Sequence, residues 1–152
     1  MRTLDLRIPP ALVTLAAAFV MWLIAWLLPS LRLAVRPIGL AGAIALLGVA
    51  VILMGVMEFR RSRTSVNPMN PAVASSLVVT GVYRLTRNPM YLGMAMILLA
   101  WAVFLSNPLS VLGVAGFVAY MNRFQIGPEE IALRAMFSSE FPAYGSRVRR
   151  WL

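Results

Sequence analysis

The residues able to do chemistry in this chain are few, and they cluster. Two adjacent acids, Glu129 and Glu130, follow Gly127 and Pro128, and a polar string upstream, residues 81–93, reads Gly-Val-Tyr-Arg-Leu-Thr-Arg-Asn-Pro-Met-Tyr-Leu-Gly. Gly81 permits a turn that a residue with a Cβ would strain. Asn88 followed by Pro89 signals a helix start, with Asn88 as its cap. The free backbone N–H groups of such a start attract anions, and Arg84 and Arg87 stand just upstream to add charged donors. Tyr83 and Tyr91 bring rings suited to a planar or cationic ligand. An interfacial loop entering a capped helix accounts for the same string equally well. Pro128 and two acids also suit a helix dipole, and Glu130 can pair with Arg134 one turn on. Histidine and cysteine are absent. That removes thiolate nucleophiles, disulfides, Cys/His metal sites and histidine acid–base catalysis. Any chemistry must run on Glu, Arg, Tyr, amides, backbone groups or a bound cofactor.

The elements that must position these residues are membrane helices. Of 152 residues 61% are apolar and 12% charged, where soluble domains average about 25% charged. The fold expected is an all-α integral membrane protein of one domain, residues 1–152, with four transmembrane helices at 11–28, 38–57, 90–105 and 109–124. A helix needs roughly 20 residues to cross the hydrocarbon core. Ser106, Asn107 and Pro108 split the last two spans into a tight hairpin, with Asn107 as N-cap and Pro108 at the first helical position. Arg123 is placed to snorkel at the end of the fourth.

Fourteen arginines, no lysine and five acids give a net charge of +9. With four spans, only Arg32 and Arg36 fall on one side, so both termini are expected in the cytoplasm, of a bacterial inner membrane. The first span reads as an anchor that is retained rather than a cleaved signal. Polar chemistry is then confined to cytoplasmic segments 58–89 and 123–152. Ala41, Gly48 and Gly55, and again Gly113 and Gly116, mark close helix packing within or between chains. Trp22 and Trp26 share a face and read as an interfacial anchor. The basic run from Glu58 to Arg63 suggests contact with anionic headgroups. The tail, where Phe137, Phe141 and Tyr144 alternate with polar residues before Arg147, reads as a surface-lying amphipathic end.

Gly-x-Tyr-Arg-x-x-Arg-Asn-Pro-x-Tyr-x-Gly, then a helical hairpin, Pro-Glu-Glu and a Tyr-x-x-x-Val-Arg-Arg-Trp ending, resembles the isoprenylcysteine carboxyl methyltransferase family. These are integral-membrane enzymes that use S-adenosylmethionine, related to phospholipid N-methyltransferases. The resemblance covers about residues 77–152. It implies a cofactor site on the cytoplasmic side, with contacts at Ser75, Ser76, Leu77, Val78, Tyr83, Asn88, Pro89, Met90, Tyr91 and Glu129. Asn88 stands where family members often have histidine, Gln125 where the eukaryotic enzymes have a substrate-contacting arginine, and Ser138-Ser139 replaces a Phe-Gly pair. Arg123 is the nearest arginine to Gln125, and these two are the candidate substrate contacts.

Methyl transfer to a carboxylate or thiolate needs alignment and no general base. An amine acceptor would need one, and Glu130 is then the candidate, with Arg123 as a second catalytic residue. The resemblance implies a lipophilic acceptor and no nucleic acid partner. Two other readings fit the residues: an NADPH-dependent membrane reductase with Arg84, Arg87 and Arg123 as its phosphate clamp, and a non-catalytic bundle that binds anionic lipid.

Overall fold

A computed structural model describes residues 6–31, 33–34, 36–62 and 76–152. The described residues are helical and carry no strand. The main helices are α1 (Pro10–Leu27), α2 (Ile38–Arg61), α3 (Pro89–Leu105), α4 (Val111–Tyr120), α5 (Gly127–Met136) and α6 (Glu140–Gly145). Of these, α1 and α2 are long and apolar enough to cross a membrane, and α3 is a shorter apolar helix. The helix expected at 38–57 continues to Arg61, so Glu58 belongs to its last turn and not to a loop. Arg60 and Arg61 close that turn, where cations suit the carbonyl end of a helix.

Helix α3 is the centre of the bundle, touching α1, α2 and α4. Its partner α2 runs antiparallel and buries Ala41, Gly48 and Gly55, the stripe read from the sequence. A Cβ on Gly48 would sit 2.8 Å from the Gly93 carbonyl oxygen, and one on Gly93 would sit 2.5 Å from that of Gly48. Only hydrogen at both positions lets the backbones meet. Beyond this seam the helices leave an apolar groove lined by Ile38, Ala41, Gly42, Ile97, Trp101 and Phe104. On the other side, Gly113 of α4 packs against Met21 of α1, whereas a Cβ on Gly116 would meet nothing among the described residues of this chain. The core joins Met21, Tyr91, Leu98, Phe117, Met121 and Ile126.

The α3–α4 hairpin turns as expected. The Asn107 side chain accepts from Leu109 N–H at 3.1 Å and donates to the Leu28 carbonyl at 3.0 Å. A short 3-10 turn, Pro108–Ser110, leads into α4. The outward aromatics Trp22 and Trp26 stack with ring centres 6.4 Å apart.

Helix α4 does not end at a boundary near Phe124. It passes through a π-helical stretch, Met121–Ile126, directly into α5. Pro128 explains this change. In an α-helix it would donate to the Phe124 carbonyl, and it has no N–H to do so. Gly127 N–H reaches back five residues to Asn122, and the Phe124 carbonyl takes its bond from Leu6 N–H at 3.1 Å. The proline that reads as a helix start therefore sits inside a continuous helical run.

Candidate functional site

The polar residues converge where α2 ends, α3 begins and α5 passes. Gly81 opens a short turn, Gly81–Arg84, with φ of +56°, and a Cβ there would meet the Glu58 carboxylate at 2.5 Å. Glu58 accepts from Thr80 Oγ1 at 2.7 Å and pairs with Arg61 at 3.2 Å. The turn is thereby fastened to the end of α2 and delivers Tyr83 into the interior, edge-on to Phe59 at 5.4 Å.

Tyr91, in the first turn of α3, donates to Glu129 Oε2 at 3.1 Å, and Gln125 Nε2 donates to the Tyr91 oxygen at 3.4 Å. Helix α3, the π stretch and α5 thus contribute one residue each to a connected polar group. Glu129 is half-buried as a residue, and desolvation of its carboxyl raises its pKa to about 7. The Tyr91 hydrogen bond works against that rise, and the neighbouring Glu130 charge adds to it.

Tyr83 is buried, and nothing among the described residues hydrogen-bonds its hydroxyl. Burial pushes its phenol well up, with the Glu129 charge adding to the rise. A buried hydroxyl without a partner is costly, and native structures rarely keep one without a reason. Tyr83→Phe is expected to leave the melting temperature of the free protein unchanged or slightly higher. The same change should weaken a ligand that bonds this oxygen by about tenfold, a typical hydrogen-bond contribution. Melting curves with and without ligand check both; a destabilised free protein would mean that the hydroxyl serves the fold.

Glu130 is placed differently from either sequence expectation. Its carboxylate accepts from Arg150 Nε at 3.1 Å and Arg150 Nη2 at 2.7 Å, and Arg87 Nη1 lies 3.2 Å away. Its ion partners are therefore Arg87 and Arg150, and not Arg134. Both oxygens are engaged by guanidinium donors, so a substrate proton would compete with two arginines for the lone pairs. The hydrogen bond to Glu130 also raises the Arg150 pKa.

The tail reinforces this clamp. Asn88 Nδ2 donates to the Arg150 carbonyl at 2.8 Å, Thr86 Oγ1 to the same oxygen at 3.3 Å, and Arg87 N–H to the Arg149 carbonyl at 3.0 Å. Asn88 therefore makes no side-chain cap for α3, contrary to the sequence expectation. Trp151 Nε1 donates to Asn122 Oδ1 at 3.0 Å, and the Tyr144 hydroxyl to the Tyr83 carbonyl at 2.6 Å. Burial pushes that Tyr144 phenol up to about 12, with the Arg87 charge opposing.

Other expected site residues lie around this centre to differing degrees. Pro89 is buried and Met90 half-buried at the start of α3; Val78 is buried, Leu77 half-buried, and Ser76 Oγ donates to the Ser62 carbonyl at 3.4 Å. Ser75 lies outside the described residues. Arg123 is exposed, its guanidinium 5.7 Å from the Phe124 ring centre, and no ion pair or hydrogen bond among the described residues joins it to the Tyr91–Glu129 pair. Arg84 is exposed as well, and Arg87 is held by Glu130. The three arginines expected as a phosphate clamp thus have three different surroundings. Sequence reading missed Glu58, Thr86, Asn122, Arg150 and Trp151 as organising residues. The one signal available for Glu58 was its rarity, an acid at the end of a long apolar run.

Comparison with known proteins gives a family match. A family model described as phospholipid methyltransferase matches residues 37–140. Two rice proteins, from Oryza sativa subsp. indica and subsp. japonica, each named "Probable protein-S-isoprenylcysteine O-methyltransferase", are 32% identical over 110 residues. That alignment covers 70% of this chain and 56% of each rice protein, so the chain spans little more than half their length. A Haemophilus influenzae protein, named only "Uncharacterized protein", is 48% identical over 63 residues, 41% of this chain and all of that relative. No solved structure matches.

Proposed function

This chain belongs to the phospholipid methyltransferase family, and on that premise we propose that it is a membrane-embedded enzyme moving a methyl group from S-adenosylmethionine to a lipophilic acceptor. The observation that carries this reading is the buried group formed by Tyr91, Glu129 and the unpartnered Tyr83 hydroxyl. A carboxyl, two phenol rings and a spare hydroxyl suit a ligand that is cationic, planar in one part and rich in hydrogen-bonding groups. Glu129 and Tyr83 would hold the donor, with Tyr91 fixing the Glu129 carboxyl and Gln125 fixing Tyr91. The four spans would place this group at the cytoplasmic end of the bundle, where a soluble donor and a membrane-borne acceptor can both arrive.

When bound, the donor would offer a methyl carbon that an acceptor's lone pair can bond in line as the carbon–sulfur bond breaks and the neutral thioether leaves. The residues here have to align the two partners, an effect that can reach about 7–11 kcal/mol. A carboxylate or thiolate acceptor brings its own nucleophile. For an amine, Glu129 is better suited as proton acceptor than Glu130, whose oxygens are occupied by Arg87 and Arg150. The membrane-side test supplies purified protein with methyl-labelled donor and a bacterial lipid extract. Label passing into the organic phase supports the reading; label remaining in water with every lipid fraction contradicts it.

Glu129 makes binding depend on pH. Its carboxyl stays neutral to about pH 7 in place of the usual 4.5. A cationic donor is held better by the ionised form, so affinity should rise as pH passes through 7, by at most about tenfold per unit. Glu129→Gln should flatten that profile. Stability runs the other way. The fold favours the neutral carboxyl, so this contribution is fully present below pH 4.5 and lost as pH rises through 7. Donor affinity measured from pH 5.5 to 8.5 in both proteins checks the first sign; a wild-type profile as flat as the variant's would remove Glu129 from donor binding.

A further inference from the structure

We propose that the turn after Gly81, helix α5 and the tail form a platform lying in the lipid headgroup layer, where exposed arginines bind anionic phospholipid. The proposal rests on the reading that the bundle spans a membrane, and not on the presence of a methyl donor.

Depth comes from contacts. Tyr91 and Arg87 flank the start of α3, the point where its apolar run begins, and they bind Glu129 and Glu130 in the first turn of α5. The start of α5 therefore lies level with the end of the α3 span. The π stretch and Pro128 both precede its body, and each is a recognised cause of helix bending, so α5 need not continue along α4 into the aqueous phase.

Surface character comes from what is left outside. Leu85, Ile131 and Leu152 are 70%, 72% and 71% exposed, unusual for large apolar side chains at the polar end of a bundle. An exposed arginine accompanies each one: Arg84 beside Leu85, Arg134 one turn after Ile131, and Arg149 three residues before Leu152. On α5 the outward positions Ile131, Arg134 and Ala135 follow i, i+3, i+4 spacing and so share one face. The acids do not balance these arginines. Glu58 is bound to Arg61 and Thr80, Glu129 to Tyr91, and Glu130 to Arg87 and Arg150, which leaves Glu140 as the exposed acid among the described residues. Arg134 shares the α5 face with Ile131, while Arg84 and Arg149 stand close in sequence to Leu85 and Leu152; exposed apolar residues accompanied by arginines suit a surface that inserts shallowly and grips phosphates.

The absence of cysteine makes a direct test available. Ile131→Cys is labelled with an environment-sensitive dye and reconstituted into nanodiscs of phosphatidylcholine, with or without one-third phosphatidylglycerol. The expected result is blue-shifted emission, quenched by a spin label attached near the lipid headgroup and protected from aqueous iodide. Phosphatidylglycerol should strengthen the shift, and Arg84→Gln, Arg134→Gln and Arg149→Gln combined should abolish that lipid dependence. Leu85→Cys, labelled in the wild-type arginine background, provides a second site should the first variant fold poorly. Water-like emission with full iodide access at both sites would overturn the platform. Shallow burial without any dependence on phosphatidylglycerol or the arginines would overturn the anionic-lipid assignment. Neither readout uses the methyl donor, so a failed methyltransferase reading would leave this result standing.

Discussion

Glu129→Ala is expected to reduce affinity for S-adenosylhomocysteine by roughly 100-fold, about 2.7 kcal/mol, while leaving the folded yield unchanged. The asymmetry follows from where the carboxyl sits. It is buried enough for its pKa to rise to about 7, so the fold gains little from its charge. Its bond to Tyr91 is lost in the variant, but the Tyr91 oxygen still has the Gln125 amide as a neighbour. The net cost to the free protein should stay near a single hydrogen bond, about 1 kcal/mol. Equilibrium dialysis with labelled S-adenosylhomocysteine, alongside size-exclusion profiles, reads both quantities. Wild-type affinity in a well-folded Glu129→Ala protein would remove this residue from the site.

The adjacent acid should behave in the opposite way. Glu130→Ala leaves Arg87 and Arg150 without their carboxylate, and Arg87 is largely buried with its Nε already lacking a partner among the described residues. Removing one side of a buried ion pair typically costs about 3–5 kcal/mol; Arg150 is partly exposed, which puts the expectation here at about 3. The tail also loses its side-chain tie to α5 and keeps only the hydrogen bonds from Thr86, Arg87 and Asn88, so trypsin should cut after Arg147 and Arg149 faster than in the wild type. Donor binding should weaken only as far as the loosened tail disturbs Asn88 and Tyr83. A melting temperature and cleavage rate like those of the wild type would show that the clamp contributes little.

These two carboxylates also show which parts of the molecule were legible in its sequence. Helix positions were, because apolar runs interrupted by Asn107-Pro108 and Asn88-Pro89 follow from local chemistry. The α2 stripe of Ala41, Gly48 and Gly55 was legible too, because seven-residue spacing keeps one face and close packing needs small residues. What followed from nearest neighbours along a helix went astray when a distant segment offered a better partner. Glu130 reads naturally with Arg134, one turn away, yet Arg150 reaches it from twenty residues on with two hydrogen bonds. Asn88 reads as a cap, yet its amide donates to the Arg150 carbonyl. Pro128 reads as a helix start, whereas the π stretch carries the helix past it. For Glu130 and Asn88 the deciding group belongs to the tail, whose docking sequence periodicity does not encode; at Pro128 the N-terminal Leu6 takes up the carbonyl that the proline leaves free.

Arg123 and Gln125 are separated for a related reason. Along the π stretch Gln125 turns inward to Tyr91 while Arg123 is left on the exposed face beside Phe124. The position expected to recognise an acceptor carboxylate thus presents a neutral amide to the buried group.

The central claim is that the Tyr83, Tyr91 and Glu129 group binds a methyl donor, and its most direct test is calorimetric titration of the detergent-purified protein with S-adenosylhomocysteine, with NADPH titrated in parallel. Saturable binding of S-adenosylhomocysteine at one site per chain, weakened roughly 100-fold in Glu129→Ala, is the expected result. Binding of NADPH alone, or of neither ligand to protein that is demonstrably folded, would contradict it.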